Sequence, residues 1–362
     1  MRDARGPLPR WLAPLAWPMA RVYSAGVAWR NARFDRSEGV RSLAGTPVIS
    51  VGNLSAGGTG KSPFVAWCAG VVADRGAQPV IALRGYRATT VDGSGALISD
   101  EAVEYARSAP TARVVVGARR FEALSAALGA SDADSWRDRA VVFLDDGFQH
   151  RQVARSLDIV LVDATRPALD GDVLPRGWLR EPARNIARAD IVVVTKAHAT
   201  DARARAASLV ARFRGRAHDA VCEHVWRSID VVGEATSREV AWLAGKRVLS
   251  ACALGNPAHF HGMVERATGV APALLSRRDH VSFSVAELAA SAQRAGVDVV
   301  VLSRKDIVKL DARTLSARGV TVVVPNLGLH FLEGEDRVRD AIARACDALR
   351  ATVSAPGAPS SG

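Results

Sequence analysis

From Thr46 onward the chain repeats one pattern, a short continuous run of β-branched and apolar residues followed by a longer helix-like stretch. The runs PVISVGNL, PVIALRGY, RVVVGA, AVVFLDDG, LDIVLVDA and ADIVVVTKA do not alternate polar with apolar. Strands of that kind are buried on both faces, as in a parallel sheet covered by helices. Helix-like segments such as 61–76 and 119–128 lie between them, which predicts a βαβ series with right-handed crossovers. Around 218–240 the texture changes, and HDAVCEHVWRSIDVVGE alternates like a small antiparallel pair linking two domains. A second set follows in RVLSACALGN, VDVVVLSRKD and VTVVVPNLGL, with helices between and a final helix to about Leu349. The expected fold is α/β, a parallel-sheet domain plus a second, smaller α/β domain joined by a two-stranded linker.

One strand runs straight into a glycine-rich loop. PVISVG continues as GNLSAGGTGKSP and then as the helical FVAWCAGVVADRG. Strand, loop and helix in that order form a phosphate cradle, because backbone N–H groups and the helix dipole both favour an anion there. Gly57, Gly58, Thr59 and Gly60 supply the cradle, Lys61 would reach the β- and γ-phosphates, and the Ser62 hydroxyl would ligate Mg²⁺. The strict G-x-x-x-x-G-K-[ST] pattern wants glycine at 55, where this chain has Ser55. A flexible turn with a chance G-K-S is the bland alternative; the flanking strand and helix speak against it.

AVVFLDDGFQHR places Asp145 and Asp146 at the end of a buried strand. Beside a phosphate loop, such carboxylates hold Mg²⁺ directly or through water. Two adjacent aspartates also suit an ordinary turn, but Gly147, Gln149 and His150 make a compact polar cluster at a strand end, where α/β proteins bind ligands. His150 alone would read as a structural histidine.

Composition matters at this point. Lys and Arg number 48 against 37 Asp and Glu, a formal charge of +11, and the sequence pI is about 10.3. That asks for a polyanionic partner, whether nucleotide, nucleic acid or an anionic membrane. Arginines spread through segments such as ARSAPTARVVVGARR and DARARAASLVARFRGR do not form an aromatic-basic surface, so no nucleic-acid partner is expected. The four cysteines are widely spaced, with no C-x-x-C pair, which excludes a disulfide scaffold or zinc motif. The N-terminal LPRWLAPLAWPMARVYSAGVAWRNARF, broken by Pro and Arg, lacks the roughly 18 unbroken apolar residues of a clear spanning helix, which leaves a peripheral segment or an N-terminal anchor. As a membrane-surface helix it would set Trp11, Trp17, Tyr23 and Trp29 at headgroup depth and Arg10, Arg21, Arg30 and Arg33 against phosphates. The competing reading is a helix packed on the first domain.

With GNLSAGGTGKSP, LRGYR, ISDEA, DDGFQHR, LPRGWLREP, VVTKA, GNPAHF, RDH and LSRKDIVKL in order over residues 46–310, the chain resembles the tetraacyldisaccharide 4′-kinase family. Ser55 is no anomaly there, because the family's own loop is an extended G-N-x-x-x-G-G-T-G-K form. The resemblance implies an ATP- and Mg²⁺-dependent kinase of the lipid A branch of lipopolysaccharide biosynthesis. Its substrate would be an acylated glucosamine disaccharide 1-phosphate, phosphorylated at the 4′-hydroxyl on the cytoplasmic face of the inner membrane.

The resemblance also implies roles. Asp100 in SDEA resembles the general base, and His280 after Asp279 resembles the partner that orients it, with His259 and His261 close by in sequence. Arg180 and Glu181 match an R-E-P segment near the phosphates, and His150 belongs with the same nucleotide set. Ser99 and Ala102 depart from the family's usual residues, and His198 stands where an Asp is usual, so no base-reading role attaches to it. From the residues alone, Asp100 also suits the N-cap of a helix over EAVEYARS. The implied organisation is a membrane-associating helix over 1–40, a P-loop kinase domain over 41–218, a β linker over 219–245, a second α/β domain over 246–350 and a disordered tail over 351–362, with ATP between the domains. Two rivals remain on residues alone. Another P-loop small-molecule kinase would not need the Trp- and Arg-rich N-terminus. A nucleotide-driven switch would want an N-K-x-D motif, which T-K-A-H does not supply.

Overall fold

A computed structural model describes residues 10–57, 59–85, 90–91, 97–98, 100–278, 281–308, 310–316 and 318–354. Gly58, His280 and the tail beyond 354 therefore lie outside the described residues.

The chain divides into two compact units, residues 1–223 with 330–362, and residues 224–329. The first opens on helix α1 (Ala13–Asp35), followed by β1 (Val48–Gly52), α2 (Lys61–Ala73) and β2 (Gln78–Leu83). A two-residue antiparallel pair, β3 (Thr90–Val91) and β4 (Leu97–Ile98), precedes α3 (Asp100–Ser108). Then come β5 (Arg113–Val116), α4 (Arg120–Gly129), β6 (Ala140–Asp145), β7 (Leu157–Asp163), β8 (Ile191–Thr195), α5 (Thr200–Arg214) and β9 (Ala220–Val231). The strands pair in the order β9-β8-β7-β1-β6-β2-β5, and every adjacent pair is parallel. β1, β6 and β8 are buried at every residue, which is why their sequences show no alternation. β5, at the edge, is at least partly exposed at every residue.

The second unit contains β10 (Val248–Cys252), α6 (Pro257–Thr268), β11 (Ala273–Ser276), α7 (Val285–Ala295), β12 (Val299–Leu302), the short helices α8 (Arg304–Ile307) and α9 (Ala312–Ser316), and most of β13 (Thr321–Glu333). Its parallel order is β11-β10-β12-β13. Leu249, Ala251, Val300, Leu302, Val322 and Val324 face one core against α7 and α9.

Two strands, β9 and β13, belong to both units and carry the chain out and back. The antiparallel pair expected within 218–240 shrinks to a single bridge between Ile229 and Arg238. β9 instead continues as one twelve-residue strand, with β13 as its neighbour. The final helix α10 (Glu335–Ser354) also departs from expectation, because it packs on the first unit rather than closing the second. Its stripe of Val338, Ala341, Ile342, Ala345 and Cys346 is buried, and this helix-spaced face lies against α2, β1 and β7.

Candidate active site

β1 sits between β6 and β7, so its carboxyl end opens into the crevice where parallel α/β sheets bind ligands. The loop that follows is fixed on several sides. Asn53 is fully buried, and its amide donates to the Ser55 carbonyl at 2.8 Å. The Ala56 N–H donates to the Trp178 carbonyl and the Arg180 N–H to the Leu54 carbonyl, each at 2.7 Å. The LPRGWLREP segment is thus a second wall of the loop. From the third side the Thr195 hydroxyl, at the end of β8, donates to the Thr59 carbonyl at 2.9 Å. Gly57 (φ 133°) and Gly60 (φ 85°) take left-handed backbone that favours glycine, and Gly60 caps α2 so that Lys61 is its first residue. With no acidic residue in its first turn, α2 turns an uncompensated positive end toward the loop.

The register of β6 against β1 sets Asp145 opposite Val51, which brings both acids to the loop. The approach is close. A Cβ on Gly52 would lie 2.6 Å from the Phe148 Cβ, and one on Gly147 would lie 2.7 Å from the Ser50 Oγ. Only glycine at both positions lets the strand end and the DDGFQ turn touch. Asp146 adopts φ 52°, unusual for a residue with a side chain. Its carboxylate meets Arg180 Nη1 at 2.6 Å and Lys61 Nζ at 3.4 Å. Burial would raise its pKa, but Lys61 and Arg180 outweigh that and hold it at about 2. Lys61 also donates to Asn53 Oδ1 at 3.3 Å. Asp145 is more enclosed, and burial raises its pKa despite Lys61 nearby. One of its oxygens accepts from the Tyr105 hydroxyl at 2.9 Å, while the other is buried and accepts nothing.

The residues read from the sequence separate into those at the loop mouth and those behind it. Lys61, Asp145, Asp146 and Arg180 converge, with the Ser62 hydroxyl beside Tyr105. Glu181 lies behind. It is wholly buried, and its oxygens accept from Asn31, Gln149, Asn185 and Arg188 at 2.8 to 3.2 Å. His150 is held with its pKa lowered to about 4, by burial first and then by Arg120 and Arg155. Asp100 opens α3.

Three participants were not singled out from the sequence. Asn53 stood inside the quoted loop motif without a role, and Tyr105 looks like an ordinary helix aromatic. Arg120 belongs to the ARSAPTARVVVGARR stretch read as surface charge, yet it is buried and donates to the Asp146 carbonyl at 3.3 Å. Burial lowers its pKa even with Asp145 and Asp146 close. α1 turned out to have two faces. Ala16, Ala20, Val27 and Asn31 are buried, whereas Trp17, Val22 and Trp29, with Trp11 just before the helix, are exposed. The helix reaches the site, with the exposed Tyr23 donating its hydroxyl to the Arg180 carbonyl and the buried Asn31 its amide to Glu181, both at 2.9 Å.

Ser62 and two carboxylates, one with an oxygen left over, suit a hard cation of the Mg²⁺ type, which takes one or two carboxylates and keeps waters or phosphate oxygens. Among the described residues no group of three or more His, Cys, Asp or Glu could hold a metal unaided.

Known proteins are similar to this chain over most of its length. The family model described as tetraacyldisaccharide-1-P 4′-kinase matches residues 12–347. A tetraacyldisaccharide 4′-kinase from Anaeromyxobacter sp. (strain K) is 36% identical, with 99% of this chain and 97% of that protein covered. One from Chlorobium limicola is 31% identical over 90% and 95%. Among solved structures, an "apo" form of LpxK from Aquifex aeolicus in complex with ATP aligns with a TM-score of 0.67 and 25% identity, covering 92% of this chain and 99% of its own. With a phosphate loop, paired strand-end carboxylates and near-complete coverage all in agreement, the chain belongs to the tetraacyldisaccharide 4′-kinase family.

Proposed function

We propose that the chain transfers the γ-phosphate of ATP to the 4′-hydroxyl of a tetraacylated glucosamine disaccharide 1-phosphate. The observation that carries this reading is the convergence of Lys61, Arg180, Asp145 and Asp146 on one glycine-rich loop at a helix N-terminus. Phosphoryl transfer needs positioning and charge stabilisation more than covalent chemistry. The backbone N–H groups of the loop hold the phosphates, and Lys61 and Arg180 supply positive charge to the γ-phosphate oxygens. Ser62, Asp145 and Asp146 would hold Mg²⁺, which would supply further charge neutralisation. Glu181, Gln149 and Asn31 brace Arg180 from behind.

The acceptor hydroxyl has a pKa far above 7, so a carboxylate must take its proton as the bond forms. Asp100 is assigned that part and His280 the part of orienting it, on the match of the SDEA and RDH segments to the family pattern. The exposed face of α1 meets the inner-membrane surface on its cytoplasmic side. Arg21 lies over the Trp17 ring at 5.2 Å and Arg33 over Trp29 at 5.3 Å, pairing interfacial aromatics with cations. Among the described residues no helix is long and apolar enough to cross a membrane.

The test is direct. Purified protein, ATP-Mg²⁺ and detergent-dispersed acylated disaccharide 1-phosphate should yield a doubly phosphorylated product on thin-layer analysis. Asp100→Ala should lower turnover by roughly 10² to 10⁴. No product from wild-type protein rejects the function, and a loss under threefold for Asp100→Ala removes that residue from the mechanism.

A further inference from the structure

We propose that Tyr105 is a positioning residue that aims the free oxygen of Asp145 at the divalent cation. The proposal rests on the reading of Asp145 as a cation contact. Tyr105 is fully buried, an uncommon place for a phenol unless its hydroxyl is partnered on purpose. Its hydroxyl donates to Asp145 Oδ2 at 2.9 Å. The phenol therefore stands directly behind that carboxylate.

That placement has a directional consequence. A carboxylate that ligates a cation through one oxygen is aimed by whatever holds the other, and the Tyr105 hydroxyl holds Oδ2 by donating its hydrogen bond there. With Oδ2 engaged in this way, Asp145 keeps Oδ1 as its remaining buried oxygen, and no hydrogen bond competes for it. Outer-shell donors of this kind fix ligand orientation at metal sites and typically govern 10- to 100-fold in metal affinity.

Tyr105 also lies on α3, which begins at Asp100 and packs against α2. Five residues at ~1.5 Å rise separate the two along the helix. The same side chain thus ties the helix that opens with Asp100 to a cation carboxylate, and it sets the reach between the two.

The experiment is Tyr105→Phe, which keeps the ring and its packing. Mn²⁺ binding in the presence of a non-hydrolysable ATP analogue, read by electron paramagnetic resonance, should weaken roughly 10- to 100-fold. Turnover at saturating Mg²⁺ should return to near the wild-type value. An affinity within twofold of wild type overturns the proposal, as does a turnover defect that excess Mg²⁺ does not relieve. Asp145→Asn separates the two layers. If it binds Mn²⁺ like wild type, the cation site itself is misassigned and the Tyr105 role falls with it. If it loses Mn²⁺ while Tyr105→Phe does not, the Tyr105 role alone falls. A second readout needs no change at 105. In a Y23F/Y86F protein the chain's three tyrosines reduce to Tyr105, and its 3-fluorotyrosine ¹⁹F resonance should shift when Mg²⁺ joins the bound analogue. An unmoved resonance contradicts the proposal.

Discussion

Two lysine–aspartate pairs stand at the carboxyl ends of neighbouring strands in the first unit, and they are built differently. Lys196, just past β8, meets Asp163 at the end of β7 at 2.5 Å, with side chains only 6% and 7% exposed. Asp163 also accepts from the Thr165 N–H and hydroxyl. Burial would raise its pKa, yet Lys196 and Thr165 bring it below the usual range. Lys61 and Asp146 stand 3.4 Å apart with side chains 14% and 34% exposed, and Asp146 divides itself between Lys61 and Arg180. A closed pair with its oxygens satisfied fastens two strand ends together. An open pair with a shared anion leaves its cations available to an incoming phosphate.

Substitutions can break this contrast. Lys61→Ala should abolish turnover, a loss of at least ~10³-fold, while the denaturation midpoint barely moves because Arg180 still pairs Asp146. A large fall in stability there would mean the open pair is structural after all. Lys196→Ala should do the reverse, destabilising by about 3–5 kcal/mol because Asp163 is left buried without its cation. A denaturant titration checks it, and an unchanged midpoint would erase the difference between the pairs. Asn31→Ala removes one donor from buried Glu181 and should reduce stability by about 1–3 kcal/mol. It should also raise the KM for ATP, since Gln149, which shares Glu181, contacts Arg180.

A further effect is in pH. The His150 pKa lies near 4 in the folded chain against about 6.5 when unfolded. Between those values the unfolded chain binds the extra proton, so stability falls as pH drops from about 6.5 to 4, by at most ~1.4 kcal/mol per unit. Asp146, near 2 when folded and about 3.9 when unfolded, gives stability that is lost only below about 3.9. His150→Gln should flatten the upper range and leave the lower one. Equal slopes in both proteins above pH 4 would mean that His150 is not held neutral.

The sequence made legible whatever depends on local pattern. Buried parallel strands leave unbroken apolar runs, so β1, β2 and β5 to β8 could be placed by inspection, and the G-G-T-G-K-S spacing needs a strand before it and a helix after. Residues acting across long separations left no mark. Arg120 looked like one more arginine in an arginine-rich helix, and nothing near Tyr105 announces an aspartate 40 positions away. Glu181 was visible as part of an R-E-P segment, but its four donors come from α1, the DDGFQ turn and the segment that follows it. β9 read as an antiparallel pair because its alternation reflects one long, unevenly buried strand.

The return of β13 and α10 to the first unit bears on how the chain is made. The second unit is one uninterrupted stretch, residues 224–329, whereas the first needs residues 330–362 to be whole. On the ribosome, the inserted unit can reach its native structure while the nucleotide-binding unit still waits for its last helix. Until α10 arrives, the apolar surfaces of α2, β1 and β7 that it covers stay open to misassociation. Competence to bind ATP is therefore among the last properties the nascent polypeptide acquires, and any early stop between 224 and 334 should leave an insoluble fragment rather than a partial kinase.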